Sequence, residues 1–204
     1  MDHKITIALI IVTVLTSINA FNNPILKSRM LFNPYVIRTN KEYLRFITSG
    51  LIHADYVHLG FNMYALFIFG KLLEPTFASL FGEALGGFFY VLLYILGLIT
   101  SHTISFIKHA NNPGYNSLGA SGAVSAVIFS FIIIFPIAGR IWGLPSVLVG
   151  ILYLMYSQYM AEKQLDNIGH DAHFAGAICG ILFTIAIRPM FAVEFVQKIL
   201  SFSW

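Results

Sequence analysis

Four polar side chains stand in otherwise apolar surroundings: Ser121 in Gly119-Ala120-Ser121-Gly122, His173 in Ala172-His173-Phe174-Ala175-Gly176, and His58 with Asn62 at i, i+4 spacing. A serine at the start of a helix has backbone N–H groups around it with no partner inside the helix. Those donors, together with the positive end of the helix dipole, can stabilise an oxyanion. An imidazole within reach of the hydroxyl takes its proton and makes it a nucleophile. His58 and Asn62 fall on one helix face, and both can donate toward one point, which suits a side-chain share in an oxyanion hole. Gly119 belongs to the same turn as the serine and completes the expected anion-stabilising set with His58, Asn62 and the Ser121 backbone.

The elements that must position these residues are membrane helices. The chain has 204 residues, 57% of them hydrophobic and 10% charged, with a mean hydropathy of +0.77. Soluble domains carry about 25% charged residues, so this chain cannot cover a water-facing surface. Disorder is excluded by the hydrophobicity. A nucleic-acid partner is not expected, because the net charge is only +3 and the basic residues form no stripe. The single cysteine, Cys179, permits neither an internal disulfide nor a cysteine-based metal site. Charge-free intervals of about 20 residues mark bilayer spans. They predict an all-α, polytopic bundle of six transmembrane helices forming a single domain over 1–204. The spans fall near 5–21, 56–73, 84–107, 119–138, 141–161 and 172–187, with an interfacial tail over 189–204. The first span also has features of a secretory signal peptide, with Lys4 ahead of an apolar run, but it lacks an Ala-x-Ala site.

Span parity then brings distant residues together. Spans two, four and six start from the same side, so His58, Asn62, Ser121 and His173 share one depth. Gly122 and Ala126 after the serine, and Gly176 and Gly180 after the histidine, form small-residue ridges that let helices approach closely. Each part has a plainer reading when taken alone. A membrane serine can bond its own backbone, a His-x-x-x-Asn pair can be a structural hub, and glycine ridges are common packing devices. His170 and His173 have i, i+3 spacing that a metal could use, but no third strong ligand is apparent. His102 and His109 are expected at a watery loop edge, and Ser117 and Ser125 as packing residues.

With these motifs in this order, the chain resembles the rhomboid family of intramembrane serine proteases. The resemblance rests on His58-Leu59-Gly60-Phe61-Asn62, Gly119-Ala120-Ser121-Gly122, and Ala172-His173-Phe174-Ala175-Gly176 with Gly180, and it covers about residues 5–188. Arg45 is similar to the family's first-loop arginine, and Glu74 to an acidic residue following span two. The resemblance implies a catalytic dyad with Ser121 as nucleophile and His173 as base, and His58, Asn62 and the Ser121 N–H holding the oxyanion. Asp171 lies two residues from His173 and points elsewhere on a helix. Many bacterial members place an aromatic residue one turn after the serine, stacked on the histidine. Here that position is Ser125, so a neighbouring aromatic such as Phe174 or Tyr153 is expected to hold the imidazole. The positive-inside count conflicts with the family orientation. With the N-terminus inside, Lys4, Lys71, Arg140, Arg188 and Lys198 lie inside against Lys27, Arg29, Arg38, Lys41, Arg45, Lys108 and Lys163 outside. A first loop lying partly in the membrane, as in the family, would remove the stretch 27–45 from that count.

The expected function is hydrolysis of peptide bonds in or near transmembrane segments of membrane proteins, with no metal or cofactor. Expected partners are transmembrane protein substrates and the lipid bilayer; the sequence does not give the oligomeric state. The absence of a transit segment favours a bacterial plasma membrane. The alternative is a catalytically inactive rhomboid-like protein that binds transmembrane helices, although such a protein would normally lack Ser121 or His173. A transporter would need polar residues spread through several spans rather than gathered in one layer. His58, Asn62, Asn116, His170 and Asp171 are expected to line a water-filled entrance. The aromatic-rich fifth span, with Tyr153, Tyr156 and Tyr159, is the candidate substrate gate.

Overall fold

Apolar, charge-free segments in lipid must satisfy every backbone group internally, and the helix does so within one segment. A computed structural model describes residues 3–141, 143–163 and 170–202, with the side chains of 156–163 and of His170 outside the description. The long helices are α1 (Lys4–Asn22), α5 (Tyr56–Phe81), α6 (Glu83–His109), α7 (Ser121–Ile134), α8 (Ser146–Lys163) and α9 (His170–Ile187). Between α1 and α5 lie three short helices, α2 (Pro24–Met30), α3 (Pro34–Asn40) and α4 (Arg45–Thr48), and a 3-10 turn at Ser49–Leu51. A final helix, α10 (Met190–Leu200), follows Pro189. The expected all-α bundle is what the chain forms. Its core includes Leu66, Leu73, Phe77, Tyr90, Leu93, Leu98 and Val127, which are fully buried.

Among the described residues, α1, α5 and α6 are long and apolar enough to cross a membrane, and α9 with α10 pass the same test as a pair bent by 111°. Several element limits differ from the sequence expectation for identifiable reasons. Glu74 marked the expected end of span two, yet α5 runs on to Phe81. The carboxylate is satisfied where it stands: it accepts from Ile5 N at 2.9 Å and Thr6 N at 2.8 Å, at the open N-terminus of α1. Span four is shorter than 119–138. It begins at Ser121, after Gly119 with φ +112°, and ends at Ile134, before Pro136. Span five starts at Ser146 rather than 141, because Arg140–Ile141 pairs antiparallel with Leu144–Pro145 around Gly143, whose φ is +83°.

The first loop is built structure. Asn23 and Asn33 each accept the N–H three residues on, Leu26 and Val36, and each is followed by a proline at the first helical position. Arg45 pins this loop from inside. Its Nη1 donates to the carbonyls of Ser28 and Leu31 at 2.9 Å, and its Nε to Glu42 at 2.6 Å. Hydrogen bonds from Asn40 and Arg45 hold the Glu42 carboxyl below its ordinary range. The tail helix α10 buries Phe191 and sends Lys198 Nζ to the Ile134 carbonyl at 2.9 Å, a cation at the C-terminal end of α7.

Candidate active site

The helices carrying the serine and the histidine run parallel in one fixed register. A Cβ on Gly176 would fall on the Gly122 carbonyl, and one on Gly180 on the Ala126 carbonyl. One turn further, the Thr184 hydroxyl bonds the Ser130 hydroxyl at 2.6 Å, at a sequence separation of 54 that the two glycine contacts share. The small-residue ridges read from the sequence therefore pack against each other. Extended back one turn, this register sets His173 opposite Gly119 and Ser121 opposite Ala175. Helical side chains lean toward their N-termini. On parallel helices both lean the same way, so Ser121 and His173 keep adjoining levels. Both are half-buried.

The turn before Ser121 is shaped around His58. A Cβ on Gly119 would lie 2.7 Å from His58 Cε1 and 3.0 Å from Nε2, and the residue's φ of +112° disfavours any side chain. Glycine is thus required here both by backbone conformation and by the imidazole seated on it. Asn62 is 7% exposed, and its Nδ2 donates to the His58 carbonyl at 3.0 Å. An amide has two N–H donors, and this bond uses one. His58 lies in the first turn of α5, behind the Asp55 cap, whose carboxylate accepts the His58 N–H at 2.8 Å.

The first loop splints the serine turn, an arrangement sequence reasoning missed. Phe32 and Ser117 exchange two backbone bonds of 3.0 Å, and the Gly119 N–H donates to the Ser49 carbonyl at 2.9 Å. Asn33 Nδ2 donates to Pro113 O at 3.0 Å and to Asn116 Oδ1 at 3.2 Å. His53, fully buried, accepts the Ala120 N–H at Nε2. Its signal in the sequence was only a histidine five residues ahead of His58, in a loop with no periodicity to mark it. His102 is not at a watery edge. It is 2% exposed, stacked on Phe32 at 4.1 Å, with Nε2 3.1 Å from the Ser49 hydroxyl. It stands on α6, and Phe32, Phe46 and Ser49 of the first loop cover it.

Around His173, the structure supplies an aromatic from α8. The Tyr153 ring lies 6.0 Å from the imidazole at an interplanar angle of 22°, and its hydroxyl is 2.9 Å from Ser125 Oγ. Ser125 thus has a hydrogen-bonding role beyond packing, and Phe174 is exposed. Asp171 is engaged away from His173, by Lys108 Nζ at 2.6 Å. Of the residues expected at a watery entrance, Asn116 and Asp171 are thus occupied by other partners. The side chains of His170, Tyr156 and Tyr159 lie outside the described residues. α8 packs mainly on α9 and α7, and Ile151, Leu152 and Met155 remain exposed on it.

Residues 40–190 match the profile of the Rhomboid domain. Among curated proteins, the chain is 26% identical over 167 residues to Rhomboid-like protein 11, chloroplastic, of Arabidopsis thaliana, covering 72% of this chain and 54% of that protein. It is 26% identical over 160 residues to Rhomboid protease GlpG of Haemophilus influenzae, covering 76% of this chain and 74% of that protein. A third similar protein, Rhomboid protease GluP of Bacillus subtilis, is 26% identical over 160 residues, which is 78% of this chain and 29% of GluP. The chain thus spans about half the length of the first of these relatives and about three quarters of the second.

Proposed function

Because this chain belongs to the rhomboid family, a family of multi-pass membrane proteins, we propose that it is an intramembrane serine endopeptidase. It would cleave peptide bonds in or near transmembrane segments of membrane proteins with a Ser121–His173 dyad. The observation that carries this reading is the shared register of α7 and α9, which holds the serine helix and the histidine helix in backbone contact one residue past Ser121. In the proposed reaction, His173 takes the Ser121 proton as the oxygen attacks the scissile carbonyl carbon. The resulting oxyanion is stabilised by the Ser121 N–H at the start of α7, with His58 and Asn62. The amide C–N bond then breaks, and His173 returns the proton to the leaving amine. Water activated by His173 hydrolyses the acyl-serine and regenerates the hydroxyl.

Depth supports the reading. α7 has 14 residues, about 21 Å of helix, against a hydrocarbon core of about 30 Å. Placed along the membrane normal with its C-terminal carbonyl, held by the Lys198 ammonium, at one interface, α7 would end roughly 9 Å short of the opposite edge. That depth suits bonds within or near a membrane span. The test is a fluorophosphonate probe on purified protein. Labelling is expected for the wild type and lost in Ser121→Ala and His173→Ala. Labelling that persists in Ser121→Ala defeats the nucleophile assignment.

A further inference from the structure

We infer that Tyr153, reaching in from α8, is the positioning residue that holds the His173 imidazole, and that Ser125 in turn holds Tyr153. The inference rests on the reading of Ser121 and His173 as nucleophile and base. A general base works only when its ring nitrogen is aimed at the hydroxyl, and an imidazole can rotate about χ2 unless something flanks it. The Tyr153 ring lies nearly parallel to the imidazole, at 22° and 6.0 Å, within the range where aromatic pairs attract. When the imidazole takes the serine proton, the same ring face attracts the cation.

Tyr153 is itself fixed from two further sides. Its hydroxyl lies 2.9 Å from Ser125 Oγ. Ser125 is 1% exposed and stands one turn after Ser121 on α7. Phe129, another turn along α7, approaches the tyrosine ring at 6.0 Å and 46°. The base is therefore oriented by an aromatic that is tethered to the nucleophile's own helix but carried by a different one. Ile151, Leu152 and Met155 of α8 are exposed, while Tyr153 links α8 to His173 through its ring and to the serine helix through its hydroxyl. Its position makes base geometry depend on how α8 is seated.

The experiment measures kcat and KM on a transmembrane peptide substrate, fluorophosphonate labelling rate, and thermal midpoint for a set of variants. Tyr153→Leu is expected to lower kcat and labelling rate by about ten- to a hundredfold, the cost of a misplaced catalytic group, with KM unchanged. Tyr153→Phe keeps the stack and loses the tether, so a loss of about fivefold is expected, that of one ordinary hydrogen bond. Ser125→Ala should match it, and the double variant Ser125→Ala/Tyr153→Phe should be no worse than either single, since all three remove the same bond. Ser121-dependent labelling with Tyr153→Leu at the wild-type rate overturns this inference and leaves the proposed function standing. Absence of Ser121-dependent labelling in the wild type overturns both. Should Tyr153→Leu fail to fold, the Ser125 and Tyr153 cycle decides: additive losses reject the tether, and coincident losses support it.

Discussion

His53 Nε2 accepts the backbone N–H of Ala120 at 3.3 Å, one residue ahead of Ser121. Its other nitrogen faces the Ser17 hydroxyl at 3.0 Å, and that hydroxyl donates to the Leu51 carbonyl at 3.0 Å. The directions are fixed by the ends of the chain. Because Nε2 accepts, the ring proton sits on Nδ1 and is donated to Ser17, whose own proton goes to Leu51. One neutral tautomer thereby joins α1, the first loop and the serine turn.

Burial first, and then the neighbouring His58 imidazole, push His53 from 6.5 down to about 3. The sign of the pH effect follows. Between these values the unfolded chain binds a proton that the folded chain does not, so stability rises with pH across this window. The slope is at most about 1.4 kcal/mol per pH unit, and stability from this group is level above the unfolded value. His53→Gln keeps an acceptor for Ala120 and a donor for Ser17 but cannot titrate. Thermal midpoints measured in detergent from about pH 4 to about pH 8 should show a shallower acid limb for His53→Gln than for the wild type. Identical limbs would show that His53 is not the group responsible.

Gly176→Ala sets its new methyl on the Gly122 carbonyl, a backbone atom that cannot step aside without parting α7 from α9. Overpacking of this kind costs about 1–3 kcal/mol, and displacing His173, the proposed base, from Ser121, the proposed nucleophile, costs up to about a hundredfold in rate. Gly60→Ala is the matched control, since its Cβ meets nothing within 4 Å. The expectation is a large loss of labelling rate for Gly176→Ala and little change for Gly60→Ala. Equal behaviour of the two would contradict the packed register.

The polar residues of the candidate site stand out in the sequence because each interrupts an apolar run. Ser121, His58, Asn62 and His173 do so by cost alone, and span parity predicts one depth for them. Tyr153 was legible as one of two candidates, with Phe174, to hold the imidazole, because Ser125 leaves the position one turn after Ser121 without an aromatic; the choice between them was not, since it depends on how α8 is seated. His53 and His102 were not legible. Their partners, Ala120 and Ser49, are 67 and 53 residues away, and the bonds run through loops that carry no period. Helix limits failed where tertiary structure supplies what sequence counts as a penalty. Glu74 is a charge in a span, and only the fold reveals that the N-terminus of α1 stands against it.

Asp171, two residues before His173, has no place in the proposed dyad. Its carboxylate pairs with Lys108 at 2.6 Å, and the two side chains are 40% and 57% exposed. Such a pair contributes less than about 1 kcal/mol. Asp171→Asn should therefore keep kcat within about twofold and shift the thermal midpoint little. A loss of kcat beyond tenfold at unchanged stability would mean that Asp171 acts on His173 after all.

Glu74→Gln separates stability from chemistry. The buried carboxylate accepts three bonds, from Ile5 N, Thr6 N and Thr6 Oγ1, the last at 2.7 Å. The Thr6 and Tyr90 hydroxyls meet at 2.9 Å, so the cluster joins α1, α5 and α6. A glutamine amide would turn one accepting oxygen into a donor facing donors and remove the charge that complements the start of α1. The expected loss is about 1.5–3 kcal/mol, that of a hydrogen bond to a charged group. Ser17, where α1 meets His53, lies about 16 Å further along the same helix, so the serine turn itself should keep its shape. Fluorophosphonate labelling of Glu74→Gln is expected at the wild-type rate in the cold and to fall at a lower temperature than in the wild type. A labelling rate already depressed in the cold would mean that the two ends of α1 are coupled, and that Glu74 reaches the serine turn through Ser17 and His53.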